Sequence, residues 1–174
     1  GNVNKFIKRI HDEIKAEKSY VKFGISPFGI WKPGFPADVT GTSQYDELYA
    51  DAKLWLNEGW CDYFSPQLYW KEGGPQSYSS LLNWWKSETP KNVHLWPGLN
   101  TVGVKNVADK VEEISNQIKI TRNILGNNSG VIHYSIDGIS KNYAMQTALQ
   151  NLYKEKALVP ASPWIKSEPV LKPE

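Results

Sequence analysis

The sequence predicts an α/β fold of four parallel strands with flanking helices, and three observations carry that reading. Short apolar or alternating runs, each too brief for a helix, begin about every 30 to 40 residues. Between them lie segments whose apolar residues recur at helical spacing. Gly, Pro and Asn punctuate the junctions. Repeated β/α units of this kind give parallel strands, right-handed crossovers and helices on the outside.

The first helix is expected over Val3 to Glu17, where Val3, Phe6, Ile7, Ile10 and Ile14 share one face. Tyr20 to Phe28 is a β-like run stopped by Pro27, and a loop rich in Gly and Pro follows from Gly29 to Gly41. Ser43 and Asp46 resemble a capping box. They open a helix that carries Tyr45, Leu48, Tyr49, Ala52, Trp55 and Leu56 inward, with Gly59 as its stop. Cys61 to Trp70 reads as the second strand, and Gly73-Gly74-Pro75 opens a helix over Tyr78, Leu81, Leu82 and Trp85. Val93 to Leu99 is the third strand. Asn106 with Asp109 starts a helix bearing Val107, Val111, Ile114, Ile118 and Leu125, closed by Gly126. Gly130 to Ile136 is the fourth strand and Asn142 to Tyr153 the last helix. Residues 1–160 form the domain, and 161–174, rich in Pro and Lys, form a tail on the surface. Two architectures suit four such strands: a small open sheet of the flavodoxin type, or half of an eight-stranded barrel.

Composition removes several function classes. The chain has 174 residues, with 20 Lys plus Arg against 18 Asp plus Glu, a formal charge of +2. That balance provides no basic footprint for nucleic acid and no polybasic membrane anchor. No run approaches the roughly 18 apolar residues of a membrane span, and Gly1 to Lys5 does not read as a signal peptide. The single cysteine, Cys61, excludes an internal disulfide and a multi-cysteine zinc site. No His/Asp/Glu cluster has metal-ligand spacing, so neither a metal nor another cofactor is expected. Phe23 to Gly29 lacks the Gly-rich phosphate turn of a dinucleotide site, and no Gly-x-Ser-x-Gly elbow is present.

In parallel β/α folds the ligand face lies at the C-terminal ends of the strands. Here Trp31 follows the first strand, Gln67, Tyr69 and Trp70 end the second, Trp96 and Asn100 belong to the third, and Tyr134 ends the fourth. Aromatic rings beside amides suit sugars: the C–H face of a pyranose packs on a ring, while its hydroxyls need donors and acceptors. Trp55, Trp84 and Trp85 sit on helices and are assigned to packing, as are Cys61 and His94 near the starts of their strands. His133 is nearer the ligand end, but Tyr134 alternates to the other face and only one of them can point inward. Glycoside hydrolysis normally needs two carboxylates. Glu72 after the second strand and Asp137 after the fourth are the candidates at this face, each beside a glycine, as an exposed turn residue would also be. Asp62 begins its strand and belongs to the opposite end.

Longer motifs point further. Phe23-Gly24-Ile25-Ser26-Pro27-Phe28-Gly29-Ile30-Trp31, then Tyr45-x-x-Leu48-Tyr49-Ala50-Asp51, Gly59-Trp60-x-Asp62-Tyr63, Pro66-Gln67-Leu68-Tyr69-Trp70 and the closing Lys156 to Trp164 resemble the glycosyl hydrolase-like 10 family of bacterial proteins. The resemblance implies a (β/α)8 TIM-type barrel, an extracytoplasmic or cell-envelope location, and action on carbohydrate. Family members carry an acidic Asp-Asp-Tyr-type motif upstream of the Phe-Gly-Ile-Ser-Pro-Phe segment, and this chain has none. It therefore looks like the C-terminal half of the family barrel. Gln67, Tyr69, Trp70, Ser26 and Trp31 carry over to the family's positions; the catalytic acids do not. A complete barrel takes about 250 residues. Four parallel strands leave two open edges and a bare inner face, so self-association through those edges is expected. The functional expectation is a carbohydrate-active domain whose complete protein hydrolyses O-glycosidic bonds and which is inactive alone. The rival is a noncatalytic carbohydrate-binding or envelope-interaction domain.

Overall fold

The computed structural model describes residues 1–90, 92–105 and 109–165. Helices α1 (Asn2–Glu17), α2 (Gln44–Glu47), α3 (Ala52–Asn57), α4 (Tyr78–Glu88), α5 (Lys110–Leu125), α6 (Ile136–Ser140) and α7 (Tyr143–Leu152) alternate with strands β1 (Gly24–Ile25), β2 (Tyr63–Phe64), β3 (His94–Leu95), β4 (Gly98–Asn100) and β5 (Ile132–Tyr134). All strand pairings are parallel. The expected third strand is split into β3 and β4 at Pro97, whose ring removes a ladder donor. Bridges from Gln67 to Phe28 and to Gly98 join the two pieces of sheet. The resulting order is sequential: β1, β2, β3 with β4, then β5. Among the described residues no strand order reverses, unlike in a doubly wound sheet of the flavodoxin type.

The helices pack in the same sequence, α1 on α3, α3 on α4, α4 on α5 and α5 on α7, forming one layer. Between that layer and the sheet lies the core, with Phe64, Leu68, Leu81, Leu82, Trp85, Leu99, Ile114 and Ile118 essentially inaccessible. The rings of Phe64 and Trp85 are 5.1 Å apart. Successive strand residues alternate faces, so Tyr63, Gln67 and Tyr69 stand on the face away from the helices.

Several helix boundaries follow from side-chain caps. Asp109 accepts from the backbone N–H groups of Val111 and Glu112 at the start of α5, and Asn142 accepts from Met145 at the start of α7. Gly126 ends α5. Asn106 and Val107, expected in that helix, lie outside the described residues, as does the tail beyond 165.

The expected single helix after Ser43 is two. Asp51 accepts from the Leu54 N–H and starts α3 afresh, and Tyr49 between the pieces has φ 52°. In consequence Leu48 and Tyr49, expected inward, are exposed at 57% and 77%, and Tyr45 is exposed as well. The capping box is also shifted: Ser43 Oγ accepts from Asp46 N–H, but the reciprocal acceptor for Ser43 N–H is Glu47. The fourth strand is shorter than expected, because Ile136 and Asp137 turn into α6.

Residues Ser162 and Trp164, in the segment expected to be a surface tail, fold back onto His94. Trp164 packs on His94 with centroids 4.9 Å apart, His94 stacks on Trp96 at 4.9 Å and 9°, and Trp96 stacks on Tyr63 at 5.2 Å. His94 Nε2 lies 3.1 Å from Ser162 Oγ. Burial, aided by the charge of Lys22, holds the imidazole below its ordinary value of 6.5, with the Ala161 and Pro160 carbonyls pulling the other way. His133 is lowered by burial too. Because the folded state binds these protons less readily than the unfolded chain, stability is complete above pH 6.5 and falls as pH drops from there towards the lowered folded values. Urea unfolding at pH 7.5 and 5.0 should show that decline, and His94→Gln should flatten it.

Candidate functional site

Register and alternation build the site. Gly98 pairs with Ile132 and Asn100 with Tyr134 across β4 and β5, and Gln67 stands between Phe28 and Gly98. Tyr69 follows Gln67 on the same face. Its ring lies across the third strand because Gly98 has no side chain; a Cβ there would come within 3.3 Å of the ring. So placed, Tyr69 stacks on Tyr134 with centroids 5.5 Å apart and planes 22° apart. Tyr134 is 56% exposed. Burial, then the neighbouring Tyr134, pushes the Tyr69 phenol above its ordinary value, so it stays a protonated donor at neutral pH.

A cavity of about 440 Å³ opens at this end of the strands, and its walls include Tyr69, Trp70, Lys71, Gln76, Asn100 and Lys105. Trp70 meets Phe28 edge to face at 5.5 Å, and its carbonyl accepts from Gln117. Gln67 donates from Nε2 to the Ser26 carbonyl at 3.2 Å. Asn100 is engaged locally: Oδ1 accepts from the N–H groups of Val102 and Gly103, and Nδ2 donates to the Gly103 carbonyl. A larger hollow of about 540 Å³ lies at the other end of the strands, between His94 and the tail residues Ala161, Pro163 and Trp164. That is the stability end of a parallel sheet, so the smaller, strand-end cavity is the candidate.

Two predicted binding residues stand elsewhere. Trp31 is held in an aromatic cluster over α3 and α4, stacked on Trp84 at 6.0 Å and donating to Asp51 at 3.2 Å. Trp96 belongs to the stack that runs down to the tail, and its indole N–H is buried without a partner among the described residues.

The two candidate carboxylates are both engaged. Glu72 accepts from Ser77 Oγ, from Ser79 N–H at 2.8 Å and from Ser79 Oγ at 2.6 Å, fastening the loop to the first turn of α4. Asp137 pairs with Lys141 one turn along α6 at 2.6 Å, in solvent. Such an exposed pair contributes little to stability. Among the described residues, no group of three or more His, Cys, Asp or Glu could hold a metal ion, and no helix is long and apolar enough to cross a membrane.

Sequence reasoning missed Lys71, Gln76 and Lys105 in the cavity wall. Only Lys71, directly after Trp70, had a legible place. Gln76 reaches the cavity because its amide donates to the Thr40 carbonyl at 2.7 Å, tying the two loops together.

The fold is one of parallel β/α units with aromatic and amide side chains at the strand ends. The chain belongs to the glycosyl hydrolase-like 10 family, whose model matches residues 1–115. It is 38% identical over 186 aligned positions to glycosyl hydrolase YngK of Bacillus subtilis (strain 168), covering 99% of this chain and 36% of that protein. It is 34% identical over 105 positions to glycosyl hydrolase DigH of Escherichia coli (strain K12) and of Shigella flexneri, covering 57% of this chain and 24% of those proteins. The chain thus spans about a third and a quarter, respectively, of the relatives it matches.

Proposed function

We propose that this chain is the C-terminal half of a (β/α)8 barrel that acts on carbohydrate, and that it supplies the saccharide-binding side of the active face. The observation that carries the reading is the stacked Tyr69–Tyr134 pair at the strand ends, with Trp70 and Asn100 in the cavity wall and Gln67 two residues before Tyr69 on the same face. Rings present apolar faces to a sugar while the amides and phenols meet its hydroxyls. Sequential strand order and a single helix layer support the half-barrel, since both continue into a closed barrel without rearrangement. Exposed Ile132 and Tyr134 lie on the last strand, where a closed barrel would place its next neighbour. Isolated, the chain would shield those edges by self-association.

In the complete protein the reaction is hydrolysis of an O-glycosidic bond. One carboxyl protonates the leaving oxygen while a second acts as nucleophile or base. Both come mainly from the part of the longer relatives that this chain does not span, with Glu72 and Asp137 assisting at most. The location is extracytoplasmic or in the cell envelope, in keeping with the family resemblance. A second reading, a noncatalytic carbohydrate-binding domain, draws support from the local engagement of both carboxylates. Incubating the chain with a panel of defined glycans tests the proposal. Binding without cleavage is expected, whereas cleavage abolished by Glu72→Ala or Asp137→Ala would overturn it.

A further inference from the structure

We infer that Gln67 sets the specificity of this site as a fixed hydrogen-bond acceptor, selecting a ligand group that donates, such as a sugar hydroxyl, over an anionic group. The inference rests on the saccharide-binding reading above. It begins with the direction of the amide. A backbone carbonyl has no proton to give, so the Gln67 atom 3.2 Å from the Ser26 carbonyl must be the nitrogen. The same nitrogen lies 3.5 Å from Ser26 Oγ, a second possible acceptor on the first strand. With nitrogen held towards the first strand, the planar amide turns Oε1 away from it. On the opposite side stands Gly98, whose missing side chain leaves room for the Tyr69 ring, so Oε1 shares this face with the stacked tyrosines.

No donor among the described residues reaches Gln67 Oε1. Three other acceptors at the strand ends are already engaged. Asn100 Oδ1 already takes two backbone N–H groups, Glu72 takes three hydrogen bonds from Ser77 and Ser79, and Asp137 is paired with Lys141. An acceptor with a fixed direction discriminates strongly. A donating group completes its hydrogen bond, while a carboxylate or phosphate oxygen would meet it lone pair to lone pair.

Calorimetric titration of this chain with cellotetraose, chitotetraose and tetragalacturonate tests the inference. The wild type should favour a neutral oligosaccharide. Gln67→Met, which keeps the volume and removes the acceptor together with the amide's hydrogen bond to Ser26, should bind that oligosaccharide at least about tenfold more weakly. The variant should stay folded, with at most the loss of one exposed hydrogen bond in stability, and its affinity for tetragalacturonate should not fall. Should the methionine variant fail to fold, Gln67→Ala provides the same comparison. Unchanged affinity for the neutral sugar, or a wild-type preference for tetragalacturonate, overturns the inference while leaving the saccharide reading intact. Failure of every oligosaccharide to bind removes that reading, and this inference with it.

Discussion

Replacing Trp85 with alanine is expected to lower the unfolding free energy by about 3–5 kcal/mol. The ring is fully buried at the centre of the layer between α4 and the sheet, 5.1 Å from Phe64 and 4.6 Å from Trp84. Its indole N–H donates to the Gly29 carbonyl at 2.8 Å, tying the helix to the loop that leaves the first strand. Truncation therefore removes apolar burial, leaves a cavity and strips a buried carbonyl of its partner, three costs that act together. Set against a typical domain stability of about 5–15 kcal/mol, the loss is large. Urea denaturation followed by circular dichroism reads it directly. A loss below about 1 kcal/mol would mean that the helix layer is not packed on the sheet as described.

Tyr69→Ala should weaken saccharide binding about tenfold or more, the scale of losing one stacked aromatic contact and its phenol donor. The effect should not be confined to Tyr69. Because its ring lies 5.5 Å from that of Tyr134, removing one leaves the other without its support. Tyr134→Ala should thus produce a similar loss, and the double variant less than the sum of the two. Titration calorimetry on the three variants measures this coupling. Additive losses would show that the tyrosines do not act as one surface.

The sequence made the periodic parts of the fold legible. Helices α1, α4, α5 and α7 have apolar stripes long enough to fix their type, and Asp109, Asn142 and Gly126 mark boundaries by local chemistry alone. The break between α2 and α3 was hidden because Asp51 reads equally well as a solvated helical residue. Its role as a cap emerges only when Trp31 and Leu54 both donate to it. Similarly, Ile136 extends an apolar run on paper but falls in the first turn of α6.

Strand-end position sufficed to place Gln67, Tyr69, Trp70, Asn100 and Tyr134 at one end of the sheet. It did not reveal which polar groups remain free to meet a ligand. Glu72 beside a glycine and Asp137 beside another look alike in sequence, yet one fastens a helix start and the other pairs in solvent. Trp31 was placed by the same rule, but its ring is held by Trp84 and Asp51, partners distant in the chain. Free hydrogen-bonding capacity is a tertiary property, because it depends on what every neighbour has already donated or accepted.

The glycan panel, read by nuclear magnetic resonance on the isotopically labelled chain, tests the central claim most directly. The predicted result is binding of at least one oligosaccharide, with the largest shift changes at Gln67, Tyr69, Trp70 and Tyr134 and with no cleavage of the glycan. Shift changes confined to the tail-end hollow around His94 and Trp164, or cleavage lost in Glu72→Ala or Asp137→Ala, would contradict it.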